Sequence, residues 1–399
     1  MSTPRHFHPT LFQSFWMGGF ESACHKTRQG VRLDMLAATQ HDRFVAEDYA
    51  RLRSVGIGTV RDTVRWHRVE ISAGRYDFSS LDPYIDAARR ERIEVIWDLL
   101  HYGWPDDVDI FAPEFVERFA GFCGAVARHL RERTTDRLFF TPVNELSFLA
   151  WAAGEVGWFH PFVIQRGGEM KRQLVRAWVA AVDAVRAVEP DARFVSVEPL
   201  IHTVPPKGRP DRGGRAAAQR ASQFEAWDMM AGLRDRELGG AARYLDIVGV
   251  NFYHDNQWEV PGGKKLQWHV HPRDPRWVPF NRLLVEAYLR YRRPILIGET
   301  SHVGVGRREW LHEMTDEIVL AIEQGVPLEG VCLYPIIDRF EWETASHWHN
   351  SGLWDFHHEP DGTSTRVLND PYAAELRLSQ LRLAALGFGT VEPAEEATA

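Results

Sequence analysis

The stretch from Leu138 to Glu145 reads LFFTPVNE, an apolar run that ends in a proline and then places an amide beside a carboxylate. This pattern is typical of a buried parallel strand that carries polar side chains at its carboxyl end. The stretch from Pro294 to Thr300 reads PILIGET and has the same form, with Glu299 near its end. We therefore expect Glu145 and Glu299 to lie in one cleft.

Short apolar segments alternate with helical patterns along the rest of the chain. The predicted strands are Phe15–Phe20, Ile57–Thr63, Ile93–Leu100, the Leu138–Glu145 stretch, Phe194–Glu198, Tyr244–Phe252, Pro294–Glu299 and Gly330–Ile336. The predicted helices are Asp42–Val55, one capped by Ser79 or Ser80, Pro113–Arg133, Glu169–Val188, Ala216–Leu238, Phe280–Tyr291, Arg308–Gln324 and Ala373–Ala385. Eight strands, each followed by a helix, predict an α/β protein with a (β/α)₈ TIM barrel.

Composition narrows the class of protein. The chain has 399 residues, is 44% hydrophobic and 26% charged, and has a net charge of −8. We expect one barrel domain over residues 1–390 and a disordered tail at 391–399. The absence of a basic stripe argues against nucleic-acid binding, and no apolar run approaches the length of a membrane span. Cys24, Cys123 and Cys332 lack metal or redox spacing, which predicts reduced thiols and a cytoplasmic location.

Polar side chains gather at the predicted carboxyl ends of the strands, where barrel enzymes place their functional groups. These side chains are Arg61, His101, Asn144, Glu145, Glu198, Asn251, Tyr253, Glu299 and those of Asp338–Trp342. Two carboxylates in one cleft can hydrolyse a glycosidic bond. A separation of about 5–5.5 Å gives retention of configuration and about 6.5–9.5 Å gives inversion. Sequence spacing leaves both routes open.

Six segments, in order along the chain, resemble motifs of glycoside hydrolase family 1, the β-glucosidase family. They are Gly19–Ala23, Arg61–Arg68, Leu99–Tyr102, Thr141–Glu145, Gly249–Tyr253 and Asp338–Trp342. The resemblance runs from about Phe15 to Asp355. It implies a retaining β-glycosidase with a carbohydrate substrate and neither metal nor organic cofactor. Two alternatives are a glycanase of the same clan and a barrel that binds sugars without cleaving them.

The resemblance implies a role for each carboxylate. Glu145 would be the general acid/base and Glu299 the nucleophile. Arg61 would keep Glu299 ionised, with a hydrogen bond from Tyr253. The nearby Glu299 charge would raise the pKa of Glu145, so that Glu145 holds a proton at neutral pH.

Further residues would bind the sugar. The implied set is His25, His101, Asn144, Asn251, Tyr253, Tyr334, Glu341 and Trp342. Asn144 would donate to the 2-hydroxyl, His101 would bind near the 3-hydroxyl, Glu341 would accept from the outer hydroxyls, and Trp342 would stack on the ring. Core packing is the alternative for His101 and Trp342.

Several positions depart from the family pattern. His25 stands where the family has Gln, Leu146 where it has Pro, Tyr334 where it has Trp, and Thr300 and Ser301 follow the nucleophile. These substitutions leave the identity of the sugar open.

Two features have no role in the family pattern. For Glu198 we favour loop capping. His347, His349, His357 and His358 alternate with aromatic residues, which favours a sugar-binding loop over a metal site. A metal-dependent barrel hydrolase would need a His-x-His motif after the first strand, and Phe20–Ser22 has none.

Overall fold

Eight parallel strands close into a barrel, as predicted. The structure is a computed structural model that describes residues 9–358 and 364–388, so the predicted tail at 391–399 lies outside it. In chain order the strands are β1 (Trp16–Gly19), β2 (Thr59–Thr63), β3 (Glu94–Asp98), β4 (Phe139–Thr141), β5 (Arg193–Pro199), β6 (Ile247–Asn251), β7 (Ile295–Thr300) and β8 (Leu328–Leu333). Each strand pairs with its sequence neighbours, and β1 pairs with β8. The carboxyl ends of all eight strands therefore meet at one mouth.

Apolar side chains fill the barrel interior and explain the continuous apolar strands. Met17, Ile96, Phe139 and Leu296 belong to this inner cluster and are fully buried. Gly249 has no room for a side chain, since a Cβ atom there would lie 2.9 Å from Val195 Cγ1. The opposite faces of the strands pack against the surrounding helices, so both faces lose contact with water.

The main helices cover the outside of the barrel. Their bounds are His41–Ser54, Asp82–Glu91, Glu114–Arg131, Gly167–Arg186, Gly213–Ser222, Glu225–Met230, Phe280–Tyr291, Gly306–Glu323 and Asp370–Ala384. No helix in the described ranges combines the length and apolar character needed to cross a membrane.

The single helix predicted over Ala216–Leu238 is wrong. Two helices replace it, because Gln223 caps the end of the first one. Its side chain donates to the Arg220 carbonyl at 2.7 Å and accepts from the Ile201 amide at 2.8 Å. Gly232 then adopts a φ of 72°, which ends the second helix.

Within residues 9–358 and 364–388, three small sheets lie outside the barrel. Glu70–Ser72 pairs with Arg75–Tyr76, Trp354–His358 pairs with Ser364–Leu368, and His202–Val204 pairs with Gln257–Glu259. The last of these joins the loops that follow β5 and β6. Both loops extend from the carboxyl ends of their strands, on the side where the functional residues were predicted.

Candidate active site

A cavity of about 1370 Å³ opens at the carboxyl ends of the strands. Six of the predicted site residues line it: His101, Glu145, Tyr253, Glu299, Tyr334 and Trp342. Arg61, Asn144 and Asn251 are fully buried and hydrogen-bond to residues of this lining. The lining also includes Glu21, Tyr102 and Arg339, for which the sequence predicted no role.

Glu299, on β7, lies between a cation and a phenol. Arg61 Nη1 donates to Glu299 Oε1 at 2.9 Å, and the Tyr253 hydroxyl donates to Glu299 Oε2 at 2.7 Å. Both contacts agree with the predicted ones. A guanidinium and a hydroxyl donor both stabilise the ionised form of a carboxyl group. Glu299 is therefore presented as a carboxylate with its oxygens facing the cavity.

Arg61 connects β2 to the residues around Glu299. It donates to both oxygens of Asp98, to Asn144 Oδ1 at 2.8 Å and to the Gly298 carbonyl at 3.0 Å. Burial would raise the pKa of Asp98, but Arg61 and His101 together outweigh that effect and the pKa of Asp98 is lowered. One buried cation thus holds two carboxylates and the Asn144 amide in fixed positions.

Glu145 has a different environment from Glu299. The Tyr102 hydroxyl donates to its Oε2 at 2.7 Å and Asn251 Nδ2 donates to its Oε1 at 2.9 Å. Both donors are neutral. Burial, followed by the negative charge of Glu299, raises the pKa of Glu145 from 4.5 to about 8. Glu145 therefore holds a proton at neutral pH.

The backbone at Glu145 and Tyr102 is unusual. Their φ angles are 41° and 67°, in the left-handed region that non-glycine residues rarely adopt. Such conformations cost on the order of 1–3 kcal/mol each and persist where the surrounding structure holds them. The Glu145 amide donates to the Val197 carbonyl at 3.0 Å, which fixes this turn against β5.

A chain of hydrogen bonds links His101 to Asn144. His101 Nδ1 lies 3.0 Å from Asp98 Oδ2, and Asn144 Nδ2 donates to His101 Nε2 at 3.1 Å and to the Tyr102 hydroxyl at 3.0 Å. His101 thus carries its proton on Nδ1 and accepts at Nε2. Its ring is therefore held by the Asp98 carboxylate and also lines the cavity. The Asn144 amide, expected on the sugar 2-hydroxyl, contacts protein groups here.

The structure places Glu341 away from the predicted position. Its carboxylate accepts from the amides of Glu343, Thr344 and Ser346 at 2.6, 2.9 and 3.0 Å. Glu341 is absent from the cavity lining. The physical reason is that the loop after β8 folds back on itself and its free amides bind the nearest carboxylate.

His25 is also displaced from the predicted site. Its Nε2 lies 2.8 Å from the Trp342 carbonyl and its ring stacks on Phe159 at 4.0 Å. Burial lowers the pKa of His25 to about 4, so the ring is neutral. His25 packs against Trp342, which lines the cavity, but is itself absent from the cavity lining.

Glu198, at the end of β5, caps the turn after Glu145, as favoured from the sequence. The Ser147 amide donates to its carboxyl oxygens at 3.2 and 3.3 Å. Burial raises the pKa of Glu198 to about 7. Glu198 also lines the cavity, so it is a further carboxyl group facing the site.

Aromatic rings form one side of the cavity. Trp342 lies 6.0 Å from Phe148, 6.3 Å from Trp158 and 5.8 Å from Tyr102, measured between ring centroids. Trp342 therefore packs against neighbouring rings, as in the core-packing alternative. It also lines the cavity, as expected for a ring that stacks on a sugar. His349 lines the cavity too, and no group of three or more metal-ligating side chains occurs among residues 9–358 and 364–388.

The fold is that of family 1 β-glucosidases. A family 1 β-glucosidase from Thermotoga maritima matches with a TM-score of 0.69 at 17% identity, covering 88% of each chain. A β-glucosidase from the same organism in complex with castanospermine matches with a TM-score of 0.69 at 18% identity, covering 97% of this chain and 99% of that one. No protein-family model and no curated protein matches the sequence at a significant level. At this identity the similarity establishes the fold alone.

Proposed function

We propose that the protein is a retaining β-glycosidase in which Glu299 is the nucleophile and Glu145 the general acid/base. One observation carries the proposal: two carboxyl groups face one cavity in opposite electrostatic environments. Arg61 and Tyr253 favour the ionised form of Glu299, whereas burial and the Glu299 charge keep Glu145 protonated. Such a pair supplies both a nucleophile and an acid.

The first chemical step uses both groups together. Glu299 attacks the anomeric carbon while Glu145 transfers its proton to the oxygen of the leaving group, which breaks the glycosidic bond and forms a glycosyl ester. The ester removes the negative charge of Glu299, and the pKa of Glu145 then falls. In the second step Glu145 takes a proton from water, the water oxygen attacks the anomeric carbon, and Glu299 leaves as a carboxylate.

The similar β-glucosidases support a carbohydrate substrate, since their structures contain deoxynojirimycin and castanospermine. The cavity volume favours a second candidate, a glycanase that acts on oligosaccharides. At about 1370 Å³ the cavity exceeds the roughly 300–1,000 Å³ of most small-molecule sites. Trp151 and Trp158 extend its lining and offer surfaces for further sugar units.

The first test is the stereochemistry of hydrolysis. The protein is incubated with a panel of nitrophenyl β-glycosides and with β-linked oligosaccharides, and the first anomer released is identified by proton NMR. We expect the β anomer. Release of the α anomer would indicate inversion, and binding without turnover of any substrate would support the non-catalytic alternative. Faster cleavage of the oligosaccharides would favour the glycanase.

The rate should fall as the pH rises through about 8. The pKa of Glu145 is raised to about 8, so the protonated acid is lost above that pH, and kcat/KM should decline with it. The Glu145→Gln variant should lose activity most with poor leaving groups, which need the proton, and should lose this alkaline limb. An unchanged alkaline limb in that variant would show that another group controls it.

The raised pKa of Glu145 also affects the free energy of unfolding. The folded protein binds more protons at Glu145 than the unfolded chain does between about pH 4.5 and pH 8, because the folded-state pKa is the higher one. The contribution of Glu145 to the free energy of unfolding should therefore decline as the pH rises through this window. Urea titrations of the wild type and of Glu145→Gln at several pH values measure the free energies of unfolding. The wild type should lose stability relative to the variant as the pH rises.

The Tyr102→Phe substitution should move the alkaline limb to higher pH. The Tyr102 hydroxyl donates to Glu145 and so stabilises its ionised form, and without this bond the pKa of Glu145 rises. The pH profile of kcat/KM measures the change. Tyr372→Phe is the control, because Tyr372 is a buried tyrosine on the last helix that does not line the cavity. An alkaline limb that moves to lower pH or does not move would contradict the assignment of Glu145 as the group that controls it.

A further inference from the structure

A carboxylate and a guanidinium lie side by side where β1 and β8 meet. Glu21 follows β1 and is only 3% exposed, yet it lines the cavity. Arg339 follows β8, and its Nε lies 2.9 Å from Glu21 Oε2. Glu21 Oε1 accepts from the Ala23 amide at 3.0 Å. The carboxylate is thus fixed on one side by its own loop and on the other by a cation.

The guanidinium is also oriented. Arg339 Nη1 donates to the Phe340 carbonyl at 2.8 Å, and the plane lies over the Trp342 ring, 4.9 Å from its centroid. Its Nη2 donates to no acceptor among the described residues, and Arg339 lines the cavity. A donor that is held in place at a cavity surface is available for a ligand oxygen.

Glu341, expected to accept from the outer hydroxyls, and His25, expected to bind the sugar, do not line the cavity beside Glu21 and Arg339. Glu341 is occupied by loop amides and His25 by the Trp342 carbonyl. Glu21 and Arg339 therefore provide the charged acceptor and donor on this side. An adjacent acceptor and donor match two neighbouring hydroxyls, one of which donates to the carboxylate while the other accepts from the guanidinium.

The charges of Glu21 and Arg339 decide between neutral and anionic sugars. Glu21 neutralises Arg339, so the pair offers no net positive charge to a carboxylate or a phosphate. A buried, ionised Glu21 would repel either anion. The part of the cavity lined by Glu21 and Arg339 therefore suits a neutral sugar.

We propose that Glu21 and Arg339 are the specificity-determining pair for the sugar bound next to Glu299, and that the substrates are β-glycosides of neutral hexopyranoses with two free adjacent hydroxyls. These hydroxyls lie on the side of the ring remote from the leaving group, because Glu145, which follows β4, is across the barrel from β1 and β8. This inference rests on the proposed glycosidase activity. It assigns the glycone contacts to residues other than those implied by the family pattern.

The test combines variants with altered substrates. The best nitrophenyl β-hexoside is compared with its 3-deoxy and 4-deoxy derivatives and with the corresponding uronide. For the wild type, we expect one deoxy derivative to lose roughly 10- to 100-fold in kcat/KM, the effect of one charge-assisted hydrogen bond. Glu21→Gln should lose a similar factor on the parent sugar and little more on that deoxy derivative. Arg339→Met should likewise lose a similar factor on the parent sugar and little more on the derivative that lacks the neighbouring hydroxyl.

Glu341→Gln is the matched control, since it changes a nearby carboxylate that is bound to its own loop and does not line the cavity. We expect its kcat/KM to stay within roughly 2-fold of the wild type, as for a surface substitution. Arg339→Lys, which keeps the charge but not the planar donor, should be intermediate. Circular dichroism and the thermal midpoint identify any variant that fails to fold, and the deoxy substrates test the wild type without any substitution.

The outcomes separate the two proposals. If the wild type cleaves no glycoside, the proposed function fails. If it cleaves glycosides but both deoxy derivatives react as fast as the parent, or Glu341→Gln loses as much as Glu21→Gln, the assignment of the pair is overturned. A wild-type preference for the uronide would also overturn it, because Arg339 would then be binding a carboxylate.

Discussion

Replacing Glu299 by glutamine should lower kcat by at least about 10⁴-fold, since loss of a covalent nucleophile removes the reaction path itself. The amide keeps the size of the side chain and accepts from Arg61 and Tyr253 at one oxygen only. It cannot form the glycosyl ester. Steady-state turnover of a nitrophenyl β-glycoside measures the loss.

The control is a buried glutamate outside the site. Glu329 on β8 is 4% exposed and accepts from the amides of Thr10 and Leu11 at 2.9 and 3.1 Å. Glu329→Gln should keep kcat near the wild-type value. Turnover by Glu299→Gln at the same rate as Glu329→Gln would contradict the mechanism.

Azide distinguishes the roles of the two carboxylates. In Glu299→Ala the anion occupies the position of the missing carboxylate and attacks from that face, so an α-glycosyl azide is expected. In Glu145→Ala the covalent ester still forms from an activated substrate, and azide attacks it from the opposite face to give the β-glycosyl azide. Product NMR decides between these results, and the same anomer from both variants would show that the roles are misassigned.

Replacing Arg61 by methionine should destabilise the protein by about 3–5 kcal/mol, the effect of removing one partner from a buried ion pair. Arg61 is fully buried and contacts Asp98 and Glu299. Without it, the buried carboxylates of Asp98 and Glu299 both lose their cation, which disfavours their ionised forms. Activity should fall as well, because a protonated Glu299 is a poor nucleophile.

Urea unfolding and calorimetry measure this loss. Arg166→Met is the control, since Arg166 is exposed and pairs with Glu169 at the surface, so its unfolding midpoint should not move. An Arg61→Met variant with the wild-type midpoint would show that the cation is not needed to hold the buried carboxylates.

Much of the fold could be predicted because its signal is local. A strand buried on both faces needs a continuous apolar run, and each of the eight predicted runs overlaps one barrel strand. Glu145 and Glu299 were found in the same way, since each ends such a run. The long helix expected over Ala216–Leu238 failed because its interruption depends on a contact between Gln223 and the distant Ile201 amide, which local periodicity does not encode.

The rest of the site depends on loops. Glu341 and His25 were placed by motif position, which assumes that the loops around them follow the family path. Here loop amides and a backbone carbonyl bind them instead. Tyr102 and Arg339 lay inside quoted motifs, next to residues that were chosen, but nothing local indicated that their side chains face the cavity. Glu21 was a charged residue directly after an apolar strand, a signal that could have identified it.

The parallel pairing of His202–Val204 with Gln257–Glu259 has a consequence for engineering. The Val260 amide donates to the Val204 carbonyl at 2.8 Å and the His202 amide to the Asn256 carbonyl at 3.0 Å. Trp258, which lines the cavity, is carried by this sheet. Grafting either loop alone from another barrel would break the pairing and misplace that indole. The two loops form one exchangeable unit, and libraries that alter leaving-group preference should recombine them together.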